Sequence, residues 1–139
     1  VEAGTYKNAC FYRVVRLDNQ PNNDVKIQVI QGGMYTEPRF ETIQPIAHET
    51  TEATGLKHLN GTMSMARMEP GTASTEFFIC VGDQPELDFG GKRNPDGQGF
   101  AAFGQVISGM DVVRKIQQQK DEQQTLVEKV KIKEIKTAF

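Results

Sequence analysis

Residues 9–15, Ala-Cys-Phe-Tyr-Arg-Val-Val, crowd aromatic and β-branched types into one stretch and read as a strand, with a single guanidinium, Arg13, set among them. The following RLDNQPNND, residues 16–24, gathers Asp, Asn and Pro and predicts a hairpin excursion. Residues 25–31, VKIQVIQ, alternate Val25, Ile27 and Val29 against Lys26 and Gln28, the period of a half-buried strand, and Gly32 and Gly33 end it. From Met34 to Asn60 no period is sustained, and Pro38, Pro45 and Gly55 interrupt the chain. This predicts a long surface excursion with one short helical turn, a kind of loop that often carries function. Three further strands are expected within 62–67, 75–81 and 100–106. The best helix begins at Ser108, with Ser108 as N-cap, Asp111 three residues on, and Met110, Val113 and Ile116 turned inward. In residues 126–135, Val130 and Ile132 alternate against Lys129, Lys131 and Lys133, the pattern of an outer edge. Many short strands and one good helix predict a closed all-β body with a helix packed on it.

Length narrows this to a single domain, residues 1–139, large enough to bury a core without metals or several disulfides. Sixteen Lys and Arg stand against eighteen Asp and Glu, a net charge of -2, so no basic surplus points to nucleic acid. No run of eighteen apolar residues points to a membrane span, and the compartment stays open between cytoplasm and periplasm, with the periplasm slightly favoured. Cys10 and Cys80 are too few for a disulfide framework; they read as two buried free thiols, or as one bridge if their strands are neighbours.

The usual catalytic sets are missing. His48 and His58 sit in the least regular stretch with no third ligand at metal spacing and read as solvated histidines, so no metal site is expected. The loop GGKRNPDGQG, residues 90–99, matches neither phosphate-binding glycine pattern, and no nucleophile elbow occurs.

What remains is a set of strings in fixed order: FYRVV, IQGG, NGTMSMA, STEFFIC, LDFGG and AAFGQVISGMDVV. In these the chain resembles the cyclophilins, peptidyl-prolyl cis-trans isomerases of eight-stranded barrel fold, from about Gly4 to Ile135. The resemblance implies a mainly β, closed antiparallel barrel with a packed helix. It assigns Arg13 the place of the catalytic arginine and Gln31 that of the glutamine holding it. Phe78 and Leu87 match the walls of the proline pocket, and Ala66 and Arg67 match the strand whose backbone pairs with bound peptide. Gln28, Val29 and Phe100 stand where the family usually has Phe, Met and a His or Tyr. Tyr12 replaces a His, Glu86 an aromatic, and Glu76 a Gln. Because Glu76 and Phe78 share one strand face, Glu76 is expected beside Arg13 and Gln31, orienting the guanidinium, with a solvated surface carboxylate as the alternative.

The implied activity is rotation about X-Pro bonds in peptides and unfolded segments, without metal or cofactor. The alternative is a proline-recognition or chaperone module with little turnover. Family members carry two strands and a helix ahead of the point where this sequence starts, so a separate N-terminal segment or a partner chain is expected to complete the barrel.

Overall fold

The alternating stretches become a seven-stranded antiparallel sheet in the computed structural model, which describes residues 1–35, 37 and 41–138. Its strands are β1 (Cys10–Val15), β2 (Val29–Gly33), β3 (Thr62–Met65), β4 (Phe77–Cys80), β5 (Ala101–Gln105), β6 (Asp121–Glu122) and β7 (Thr125–Lys131). They lie in the order β5-β3-β4-β2-β1-β7-β6. The expected closed barrel is corrected by this order: β5 and β6 stand at opposite ends, and no pairing between them joins the sheet into a ring among the described residues. Two helices accompany it, α1 (Thr51–Thr54) and α2 (Met110–Gln117).

Both faces of the central strands are apolar, and they serve different ends. Val14, Ile30 and Ile79 turn to one face, where they form a cluster with Val113 and Ile116 of α2 and with Leu126. Val15, Val29, Phe78 and Cys80 turn to the other, where they meet Ile27 and Leu87. Period-2 alternation thus divides the sheet into a helix-covered core and a second apolar surface that carries the candidate site.

Several boundaries differ from expectation for local reasons. Regular pairing in 25–31 begins only at Val29, because the Ile27 backbone is held by the Gln20 side chain rather than by a neighbouring strand. Helix α2 is preceded by Gly109 at φ 99, with no side-chain cap, so Ser108 does not serve as N-cap. The C-terminal strand is not an outer edge, since β7 lies between β1 and the two-residue β6. The excursion after Met34 contains the expected short helix, α1, capped by the Thr50 side chain at the Ala53 amide; Pro38 lies outside the described residues. Cys10 and Cys80 are both buried, and no disulfide joins them.

Ile30 is completely enclosed at the centre of the helix-side cluster. Replacing it with Ala should cost about 2–5 kcal/mol in a urea titration. Val127→Ala, at a half-exposed position on β7, should stay within about 0.5 kcal/mol of the parent.

Candidate active site

The site is built on one row of cross-strand partners. Arg13 on β1 lies opposite Gln31 on β2, Gln31 opposite Phe78 on β4, and Phe78 opposite Ser64 on β3. Directly opposed residues share a sheet face, so the pairing delivers a cation, an amide, an aromatic ring and a hydroxyl to one surface. Above that row lies a cleft of about 330 Å³. Ile27, Val29, Ala66, Met68, Phe78, Leu87 and Phe100 form its apolar lining, and Arg13, Gln31, Arg67 and Arg93 its polar lining. Phe78 and Phe100 meet edge to face at 5.5 Å between centroids, and the Arg67 guanidinium lies 4.9 Å over the Phe100 ring. Leu87 is fully enclosed in the 3₁₀ turn Pro85–Leu87.

Arg13 is aimed by two glutamines. Its Nη1 donates to Gln31 Oε1 at 2.7 Å, while Nε and Nη2 donate to Gln124 Oε1 at 3.1 and 2.7 Å. A guanidinium has five N–H donors, so two remain for a ligand. Burial lowers the Arg13 pKa, with the group still fully charged at physiological pH. Gln124 sits in the tight turn between β6 and β7 with φ 76, after Gln123 at φ 50. A left-handed pair is the hairpin geometry normally given to Asn-Gly, and side chains there carry strain. The turn is pinned by Asp121 Oδ2, which accepts from the Gln124 amide, and by the Gln124 Nε2 donating to Asn19 O.

A second chain of bonds fixes which way the Gln31 amide faces. Its Nε2 donates to the Tyr12 hydroxyl at 3.0 Å, and that hydroxyl donates to Glu76 Oε1 at 2.7 Å. Tyr12 and Arg13 are adjacent, and in a regular strand they would point to opposite faces. A register break between Phe11 and Arg13 lets both reach Gln31. Burial and the neighbouring carboxylate raise the Tyr12 pKa far beyond physiological pH, so it stays a hydroxyl. Contrary to expectation, Glu76 therefore does not orient Arg13 directly, and it is not the solvated surface carboxylate of the alternative either. It is 9% exposed and receives Tyr12, the Met34 and Tyr35 amides and the Thr75 hydroxyl. Its close fit explains Gly33: a Cβ there would lie 2.5 Å from Glu76 Oε2, and φ is 145. Glu76, Tyr12, Tyr35, Thr72 and Ser74 line an adjoining hollow that shares Gln31, Ala66, Arg67 and Met68 with the cleft.

Behind Phe78 lies His58, which is 1% exposed rather than solvated. Its ring stacks on Phe78 at 6.0 Å and 15°. Nδ1 lies 2.7 Å from Asp88 Oδ1 and Nε2 2.8 Å from Ser64 Oγ. Burial outweighs the Asp88 carboxylate and lowers the His58 pKa, so the ring is neutral, donating from Nδ1 and accepting the Ser64 hydroxyl at Nε2.

Of the residues singled out in the sequence, Arg13, Gln31, Val29, Ala66, Arg67, Phe78, Leu87 and Phe100 all line the cleft. Gln28 does not. It turns to the other side of β2, where Gln117 of α2 donates to its side chain, and Ile27 lines the cleft instead. Arg67 contributes packing, because its guanidinium is committed to Asp96, Gly99 O and Met68 O. Tyr12, Ile27, His58, Arg93 and Gln124 were not foreseen as parts of the site. Only Ile27 carried a local signal, the alternation that places it with Val29 and Gln31.

A family model described as cyclophilin type peptidyl-prolyl cis-trans isomerase/CLD matches residues 1–137. The chain is 39% identical over 117 residues to peptidyl-prolyl cis-trans isomerase B of Escherichia coli (strain K12), covering 81% of this chain and 63% of that protein. It is 37% identical over 119 residues to peptidyl-prolyl cis-trans isomerase cyp18 of Streptomyces antibioticus, covering 84% and 64%. The chain thus spans less than two thirds of the length of either relative. Among solved structures, a cyclophilin type peptidyl-prolyl cis-trans isomerase of Cryptosporidium parvum superposes with a TM-score of 0.69 at 22% identity, over 95% of this chain and 75% of that one. The chain belongs to the cyclophilin-type peptidyl-prolyl cis-trans isomerase family.

Two measurements follow from this geometry. Gln124→Gly relieves the left-handed strain while releasing two of the bonds on Arg13. Its Tm should stay within a few degrees of the parent while any activity that depends on Arg13 falls at least about threefold. For His58 the folded pKa lies below the unfolded value of about 6.5, so the unfolded chain binds the extra proton first. Stability from this group is complete above about pH 6.5 and is lost as pH falls below it. Thermal unfolding at pH 7.5 and 5.5 should show a larger loss for the parent than for His58→Gln.

Proposed function

We propose that this chain, as one domain over residues 1–139, accelerates rotation about X-Pro peptide bonds in peptides and unfolded segments, with Arg13 as the catalytic residue. The observation that carries the reading is a charged guanidinium fixed by two amides with two N–H groups unassigned, lining the same cleft as Phe78, Leu87 and Phe100. The Cryptosporidium relative was crystallised in the presence of the dipeptide Ala-Pro, which supports a proline-containing ligand.

The X-Pro bond resists rotation by roughly 18–20 kcal/mol because the nitrogen lone pair is delocalised into the preceding carbonyl. In the twisted state that delocalisation is lost, and the prolyl nitrogen becomes pyramidal and accepts a hydrogen bond. With the prolyl ring seated against Phe78, Phe100 and Leu87, and Val29 and Ile27 beneath it, the free N–H groups of Arg13 bond the prolyl nitrogen or the carbonyl that follows. Both planar isomers gain less from that bond than the twisted state does, which lowers the barrier. Gln31 positions Arg13, while Tyr12 and Glu76 position Gln31. The Ala66 N–H is taken by Glu76 O, so an extended peptide along the cleft would pair with the Ala66 carbonyl and the Arg67 backbone. No step requires a nucleophile, metal or cofactor. The comparisons lend no support to the expected separate N-terminal segment or partner chain.

Exchange spectroscopy by NMR on a short Ala-Pro peptide tests this. The parent should accelerate exchange, and Arg13→Ala should lower kcat/KM at least about tenfold, roughly 1.4 kcal/mol of transition-state stabilisation, with peptide affinity changed much less. Binding without acceleration would select the recognition module instead, and equal rates in both proteins would remove Arg13 from the mechanism.

A further inference from the structure

Three guanidinium groups border the cleft, and among the described residues only that of Arg67 has a counter-ion. Arg67 forks onto the Asp96 carboxylate at 3.0 Å through both Nη1 and Nη2, and its Nε donates to Gly99 O. Its five N–H groups are all engaged, and its charge is neutralised. Arg13 is held by the amide oxygens of Gln31 and Gln124. Arg93 uses Nη1 alone, donating to Gln20 Oε1 at 2.9 Å and Val25 O at 2.7 Å. All four of these acceptors are neutral. Among the described residues no carboxylate lies within ion-pairing distance of Arg13 or Arg93, and Arg93 Nε and Nη2 have no partner.

The nearby acids are turned elsewhere. Glu76 is occupied by Tyr12 and two backbone amides, Asp88 by His58, and Asp96 by Arg67. Two like charges therefore border one apolar space. Burial lowers the pKa of both groups, and the charge on Arg13 lowers that of Arg93 further. An anion in the cleft relieves that repulsion and gains charge-assisted hydrogen bonds to two planar donors. Arg93 is held in place: the loop at 90–99 that carries it is tied to the 16–24 excursion through Gln20, a residue 1% exposed.

We propose that the cleft selects X-Pro segments with a carboxylate immediately after the prolyl residue, supplied by a following Asp or Glu side chain or by the free C-terminus of a chain ending in proline. This rests on the isomerase reading, since it takes the prolyl ring on Phe78 and the prolyl carbonyl at Arg13. The next group along the peptide then extends toward the unpartnered N–H groups of Arg93.

The test measures kcat/KM by NMR exchange for blocked Ala-Ala-Pro-Glu, Ala-Ala-Pro-Gln and Ala-Ala-Pro-Lys, and for Ala-Ala-Pro with a free or an amidated C-terminus. The parent should prefer Glu over Gln by about fivefold or more at low ionic strength, chiefly through KM, with Lys poorer still and the preference shrinking in 0.5 M salt. Preference for the Glu peptide identifies the side chain as the source, and preference for the free terminus over its amide identifies the C-terminus. R93Q should bring the Glu-to-Gln ratio below about twofold, while R93K, which keeps the charge, should retain most of it. Because the readout is a ratio within one protein, a general loss of activity from a loosened loop does not imitate it. Equal conversion of all five peptides by the parent, or an unchanged ratio in R93Q, would overturn the inference. Failure of the parent to convert any peptide would instead overturn the isomerase reading beneath it.

Discussion

The register between β1, β2 and β4 is the constraint on which the site depends. With Arg13, Gln31 and Phe78 in one row, the guanidinium, its amide holder and the ring they face are brought together by backbone hydrogen bonds. A slip of one residue on β2 would send Gln31 into the α2-side core and Ile30 into the cleft, exchanging an apolar contact for a buried amide on one face and losing the holder of Arg13 on the other. Such a slip is opposed by both faces at once, because Ile30 is fully enclosed against α2 while Val29 is fully enclosed beneath the cleft. The apolar sandwich that stabilises the sheet thereby also sets the aim of the cation.

Polar groups near the cleft form satisfied networks rather than isolated pairs. Among the described residues no buried side-chain nitrogen or oxygen lacks a partner. This matters most at Glu76 and His58, where an unanswered group would cost on the order of 1–3 kcal/mol or more. Each network ends on a residue of the central row, Glu76 through Tyr12 on Gln31, and Asp88 through His58 on Phe78 and Ser64. The cleft surface is thus held from behind by hydrogen bonds and from the sides by packing, leaving few rotamers open to the groups that a ligand would meet.

The sequence disclosed elements whose signal is local. Alternation in 25–31 put Ile27, Val29 and Gln31 on one face, and it also placed Gln28 opposite them. The family resemblance, which puts Gln28 where a Phe is usual, ran against that alternation. Other parts depended on contacts that no local pattern carries. Tyr12 reaches Gln31 only through the register break in β1, which strand parity does not reveal. His58 became a core residue because Asp88 and Ser64 meet its two nitrogens, one from a position thirty residues on. Closure of the barrel was inferred from strand number, whereas it requires a pairing between the terminal strands that the described sheet does not make.

Gln124 stands 111 positions from the arginine it holds. On a ribosome, the strands that build the cleft walls emerge well before the β6–β7 turn, so a nascent chain can acquire an apolar hollow while its guanidinium still swings free. Forming the contact with Gln124 closes the longest loop among the bonds on Arg13, and closure of long loops is among the slower parts of assembly. Full aim of the cation therefore belongs to the last stage of folding, and competence at the site marks the moment when the C-terminal hairpin has docked.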